Sequence, residues 1–145
     1  MHHRQIIRNA AANALVGLVT TGVRVFKSRT EPLDQTLLPC LLVNTDDEDI
    51  ETITVHQAPI LDRDLTLIVR CVAKASTNLD DVLDTMMAEV ETAIGGQTLT
   101  GLVGALALKS IRINMESEAE KPVGIATMTF LTNYMTVSNN PSVNI

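Results

Sequence analysis

Aromatic side chains are nearly missing from this sequence, which has no Trp, one Tyr and two Phe in 145 residues. With so few ring faces to stack on bases or sugars, a single-stranded nucleic-acid platform is disfavoured. Positive charge is short as well: 11 Lys and Arg stand against 17 Asp and Glu, giving a net charge of −6 and a pI near 4.9. Phosphate-backbone affinity comes from clustered Lys and Arg, so direct nucleic-acid binding is discounted. Cys40 and Cys71 lie in separate apolar runs without CxxC spacing or a nearby histidine, and read as two small buried thiols rather than a disulfide or a metal pair. No segment reaches the ~18 to 20 uninterrupted apolar residues of a bilayer span, and no basic start leads into an apolar core with a cleavage site. A soluble chain made in a reducing compartment is expected.

The machinery of catalysis is also absent. No nucleophile can be matched with a base, no carboxylates pair in a recognisable pocket, and no metal-ligand spacing occurs. Of the three histidines, His2 and His3 fall at what reads as a mobile start and His56 beside a loop. Gly95-Gly96 lacks both the GxGxxG spacing and a following GK[ST]. The acidic run Asp46, Asp47, Glu48, Asp49 and Glu51 lacks the alternating oxygen ligands, central glycine and closing glutamate of a calcium loop, and reads as a solvated loop. A second charged group, Glu116, Glu118, Glu120 and Lys121, falls at a hairpin tip, where it serves solubility or docking. The expectation is a binding or assembly protein, not an enzyme, with no cofactor and no metal.

What is present is periodicity. From Leu65 to Ala73 side chains alternate, with Leu65, Leu67, Val69, Cys71 and Ala73 on one face and Thr66, Ile68, Arg70, Val72 and Lys74 on the other, which predicts a strand. From Leu79 the spacing becomes helical through Val82, Met86, Val90 and Ile94, flanked by Leu79, Leu83 and Met87. Thr77 or Asn78 is placed to cap this helix, Asp80 and Asp81 suit its dipole, and Gly95-Gly96 gives a left-handed exit. An earlier helix is predicted over His3–Thr20, with Ile6, Ile7, Ala10, Ala11, Ala14, Leu15, Leu18 and Val19 on its apolar face.

Val23–Ser28 predicts a short strand near an edge, because Arg24 and Lys27 interrupt its apolar positions. Thr30–Thr36 is a connection, and Leu37–Asn44 a buried strand that Pro39 confines to its start or to an edge. Thr52–Gln57 alternates weakly, as a further short strand would. Gln97–Ala107 reads as a glycine-bearing loop, and Leu108–Glu118 with Ile125–Val137 as the arms of a long hairpin. Residues 1–137 make one domain; Ser138–Ile145, polar around Pro141, reads as a flexible tail that orders on a neighbour.

This order resembles the phage tail terminator proteins of the minor tail protein U type, over roughly Arg4 to Val137. The segments that carry the resemblance are RQIIRNAAANALVG, RVFKSR, LPCLLVNTDDED, LTLIVRCVAK, NLDDVLDTMMAEVETAI and the final hairpin. Within them Leu38-Pro39, Asn78-Leu79-Asp80-Asp81 and Leu131 to Thr136 are the most telling. The resemblance implies an α+β subunit: two principal helices packed on a mainly antiparallel, mixed sheet. It further implies a homohexameric ring that caps the tail tube at its head-proximal end, stops polymerisation and docks the head–tail connector. Its partners would be the tail tube protein, the connector or neck protein, and a sheath protein if the tail is contractile. DNA would pass through without specific binding, and the protein would reside in the virion after assembly in the host cytoplasm. A neck protein of head–tail joining is the nearest alternative, and a small ligand-binding regulatory domain a more distant one.

A closed ring needs a heterologous interface. The expected contacts set Arg24, Lys27 and Arg29 of one subunit against the acids Asp46, Asp47, Glu48 and Asp49 of the next, with Glu116, Glu118, Glu120 and Lys121 as a second surface.

Overall fold

The computed structural model describes residues 1–27, 35–53, 59–75, 77–116 and 122–145. In chain order these contain α1 (His3–Leu15), β1 (Val25–Lys27), a turn of 3-10 helix (Gln35–Leu37), β2 (Cys40–Thr52), β3 (Ile60–Lys74), α2 (Leu79–Ile94), β4 (Ala107–Glu116), β5 (Val123–Val137) and β6 (Asn140–Asn144). The strands form one mixed sheet in the order β1-β2-β3-β5-β4, with β6 on the end of β5. Every pairing is antiparallel except that of β1 with β2. The fold is α+β, as expected.

Two of the strongest periodicities meet at the sheet centre. β3 pairs with β5 along its whole length, from Ile60↔Val137 to Lys74↔Val123, without a break in register. The outer pairs each slip once, β2 against β3 between Thr45 and Glu48 and β4 against β5 between Leu108 and Ser110. Leu65, Leu67, Val69, Cys71 and Ala73 of β3 join Ala126, Met128 and Phe130 of β5 under the helices, and all of them are buried. α1 contributes Ile7, Ala11 and Leu15, and α2 contributes Leu79, Leu83, Met86, Met87, Val90 and Ile94. At ~25 cal/mol per Å² of apolar surface removed from water, each fully buried Leu or Ile contributes roughly 1.5–3 kcal/mol. The opposite face of the sheet carries a smaller cluster, Cys40, Leu42 and Val72. Cys71 is buried in the main core, and that burial pushes its thiol up to about 12.

Several local readings are corrected. α1 stops at Leu15 rather than continuing to Thr20. Gly17 takes φ +95°, and a tight loop closes by hydrogen bonds from Gly17 N to Gly22 O and from Gly22 N to Leu18 O, both 2.8 Å. Val19, expected on the buried helical face, is therefore 97% exposed. The acidic run is no loop. It extends β2 through Thr52, with Asp46 and Asp47 together opposite the single residue Thr66 where the register slips. Asn78 begins α2 in the left-handed conformation and makes no side-chain cap, although Asp80 and Asp81 do occupy the first turn.

The tail pairs back as β6 instead of lacking structure: Ser138 N donates to Pro59 O and Ile145 N to Met135 O. Most of the Thr30–Thr36 connection and of the Thr52–Gln57 strand lies outside the described residues. Pro39 does sit immediately before β2, and β1 does lie on the sheet edge.

Candidate functional site

The helix-side face of the sheet ends in a buried polar cluster. Arg63 is in phase with Leu65 and Leu67, so its guanidinium points into the same layer as the core. Its Nη1 donates to Glu48 Oε2 at 2.9 Å, with the two side chains 8% and 4% exposed, and its Nε donates to Thr136 Oγ1 at 2.9 Å. The Tyr134 hydroxyl donates to the other Glu48 oxygen at 2.6 Å. Burial, reinforced by that hydrogen bond, raises the Tyr134 phenol pKa.

Arg63 also lies 5.8 Å from the Tyr134 ring centroid, and the His3 ring packs against the same tyrosine at 4.8 Å. His3 Nε2 is 3.0 Å from the carbonyl of Leu102; a carbonyl only accepts, so this nitrogen carries the proton, and Nδ1 has no partner among the described residues. His3 is 2% exposed rather than at a mobile start, while His2 caps α1 through its Nδ1. Five segments meet here: the start of α1, β2, β3, β5 and the loop before β4. The Glu48 carboxylate accepts from both the guanidinium and the phenol, so it is held as an acceptor rather than poised as a free base. The cluster acts as a lock on the open end of the core.

Sequence reading missed this cluster because Glu48 is one of five neighbouring acids and what separates it from them, its place just after the register slip, is set by the partner strand. The available signals were Arg63 in phase with an apolar face and Tyr134 in phase with Ala126, Met128 and Phe130. A charge at a core position implies a buried partner.

The other candidate residues are not gathered into one site. Arg24 donates to its own chain, from Nε to Pro39 O at 2.8 Å and from Nη2 to Thr20 O at 3.1 Å. Lys27 is exposed at the end of β1, on the same sheet edge as the acids. Asp46, Asp47 and Asp49 are exposed, and the Asp46 carbonyl accepts from Arg4. Glu48 is the exception, buried in its ion pair rather than solvated. Glu116 closes β4 opposite Val123; Arg29, Glu118, Glu120, Lys121 and His56 lie outside the described residues. Among the described residues no group of three or more His, Cys, Asp or Glu could hold a metal ion, and no helix is long and apolar enough to cross a membrane.

Among the described residues apolar side chains are left bare on β4 and in the loop after α1, besides Ile50 and Ile53 at the end of β2. On β4, Ile111, Ile113 and Met115 share the helix side of the sheet and are 40%, 48% and 41% exposed, because α2 packs over β3 and β5 and stops short of β4. In the loop after α1, Val16, Val19 and Val23 face solvent. This loop is pinned to α2 by Glu89, whose carboxylate accepts from Thr20 N and Thr20 Oγ1. Between loop and helix runs a groove lined by Gly17, Leu18, Val19, Thr85, Ala88 and Ala93.

No protein-family model and no curated protein sequence matches this chain. Among solved structures it is similar to a chain of the virion of a native gene transfer agent particle, at 15% identity and a TM-score of 0.44, over 91% of this chain and 92% of that one.

Proposed function

We propose that this chain is a structural subunit of a bacteriophage virion, and within it a tail terminator: a non-enzymatic protein that closes into a homohexameric ring on the head-proximal end of the tail tube, stops its polymerisation and presents a docking face to the head–tail connector. The observation that carries the reading is the bare apolar side chain on β4 and in the loop after α1, on a chain whose buried Arg63 and Glu48 pair with each other. Surfaces of that kind are completed by protein partners. The resemblance of the segments around Leu38-Pro39, Asn78-Leu79-Asp80-Asp81 and Leu131 to Thr136 to tail terminators suggests the particular assembly. The partners are further copies of the chain, the tail tube protein and the connector, with the sheath protein added in a contractile tail. DNA passes through the ring without being held, which suits a net charge of −6.

Electron microscopy of the purified protein, alone and mixed with tail tubes or connector particles, tests the assignment. Six-fold rings with a central hole that seat on tube ends are expected. Rings that seat on connector particles and never on tube ends would reassign the chain to head–tail joining. A chain that forms no ring alone or on tubes would end the proposal.

A further inference from the structure

The two sides of the sheet finish in open strands. Among the described residues β1 pairs with β2 at Leu41, Leu42 and Val43, and from Glu48 to Thr52 β2 has no strand on its outer side. At the other side β4 pairs, among the described residues, with β5 alone. Unpaired N–H and C=O groups along such edges are templates for another strand.

These edges match in three ways. In the first, both show exposed isoleucine on the helix side: Ile50 on β2, which is 52% exposed and opposes Arg63, and Ile111 and Ile113 on β4. The second match is one of charge, since on the opposite face β2 exposes Asp49 and Glu51 while β4 exposes Arg112, which lies in one row with Thr127 and Arg70. Direction supplies the third. Successive strands from β2 through β3 and β5 to β4 are antiparallel, so β2 and β4 run in opposite senses. Copies that follow one another around a closed ring keep the same sense, and the β2 of one then meets the β4 of the next antiparallel.

We propose that the ring is held by β-strand addition, with the open length of β2 in one copy paired to β4 of the adjacent copy, so that Ile50 packs on Ile111 or Ile113 and Asp49 or Glu51 pairs with Arg112. The alternation of a strand ties these contacts together. An antiparallel match of Ile50 with Ile111 sets Asp49 opposite Arg112, and a match with Ile113 sets Glu51 there. Either register therefore satisfies both faces at once. The contact is heterologous, as ring closure requires. It replaces Arg24 as the basic partner, since Arg24 is held by its own chain and lies on the same side of the sheet as the acids. The inference rests on the proposed ring and adds which surfaces close it.

Sedimentation velocity and cysteine cross-linking of the full chain, alone and on tube ends, test it. Arg112→Glu, or Asp49→Lys with Glu51→Lys, should weaken self-association roughly tenfold or more, because like charges then face each other. The three reversals combined should recover most of the loss. All three positions are exposed, so the thermal melts of the isolated subunits should match. Ile50→Cys with Ile113→Cys should cross-link between copies under mild oxidation. The native Cys40 and Cys71 are buried and should not compete.

Rings that persist unchanged through the reversals, with no cross-link, would overturn this contact and leave the ring reading standing. A wild-type chain that stays monomeric both alone and on tubes would overturn both.

Discussion

Glu48 and Arg63 hold the open end of the core together, and the free energy of such a pair is lopsided. Removing one partner strands a buried charge and typically costs ~3–5 kcal/mol, whereas replacing both with apolar groups of similar volume is often neutral. Glu48→Ala should therefore lower stability by about that amount, and Glu48→Ala combined with Arg63→Met by clearly less, as read from urea unfolding. Tyr134→Phe leaves the carboxylate one donor short, a deficit of ~1–3 kcal/mol. Its effect should largely vanish in the Glu48→Ala background, because both substitutions break the same contact. If Glu48→Ala and Tyr134→Phe add independently, the cluster is not a unit. The same acid shows where one-dimensional reading falls short. Asp46, Asp47, Asp49 and Glu51 are on the surface as their composition predicts, but Glu48 follows a register slip, and a slip is set by the partner strand rather than by neighbouring residues.

Helix α2 reaches the sheet closely at one glycine. A Cβ at Gly124 would stand 2.9 Å from Leu83 Cδ1 and 3.1 Å from Leu79 Cδ2, so the first turns of α2 lie directly on the β5 backbone there. Gly124→Val should force those leucines aside and cost ~1–3 kcal/mol by overpacking, while the same change at exposed Gly104, where the nearest atom is 3.5 Å away, should cost less. Paired urea titrations would show the difference, and equal effects would mean that α2 shifts freely. α2 and β3 were legible because their apolar spacing runs over many residues and is set by one buried face. The hairpin of β4 and β5 was legible for the same reason on its β5 arm.

The end of α1 was not legible, since Leu18 and Val19 keep the helical spacing while Gly17 turns the chain away. Nor was the strand character of the acidic run. An edge strand with charged outer positions carries little apolar alternation, and charge on an edge is a common guard against unwanted pairing. β6 was missed because a short polar strand is fixed by the backbone of β5, which local sequence does not report.

The molecule as a whole has a strong centre and open sides. Backbone groups of β3 and β5 are paired with each other along the full ladder, so their amides should exchange with solvent only on global unfolding. The outward amides of β4 and of β2 from Glu48 to Thr52 should exchange early in the isolated subunit and become protected together on assembly. Hydrogen exchange followed by mass spectrometry checks both statements, and protection of one edge without the other would contradict a head-to-tail ring. Of the surfaces expected from sequence, the acids at Asp46, Asp47 and Asp49 are on the outside as required. Of the expected basic set, Arg24 is held by its own chain and Lys27 is exposed on the acids' own edge, and the Arg112 of the proposed contact stood inside an ordinary strand pattern.

The uninterrupted β3–β5 ladder has a kinetic side as well. Its partners lie roughly 50 to 80 positions apart along the chain, and pairing across such distances must bear the closure entropy before any contact rewards it, so folding belongs to the slower, millisecond-to-second class. α2 and β4 are made in the interval between the two central strands. During synthesis β2 and β3 can form a hairpin, but that hairpin presents a bare β3 edge until β5 emerges. Each subunit is thus most adhesive before it is complete, and finishing the centre of the sheet leaves open strands only along its flanks.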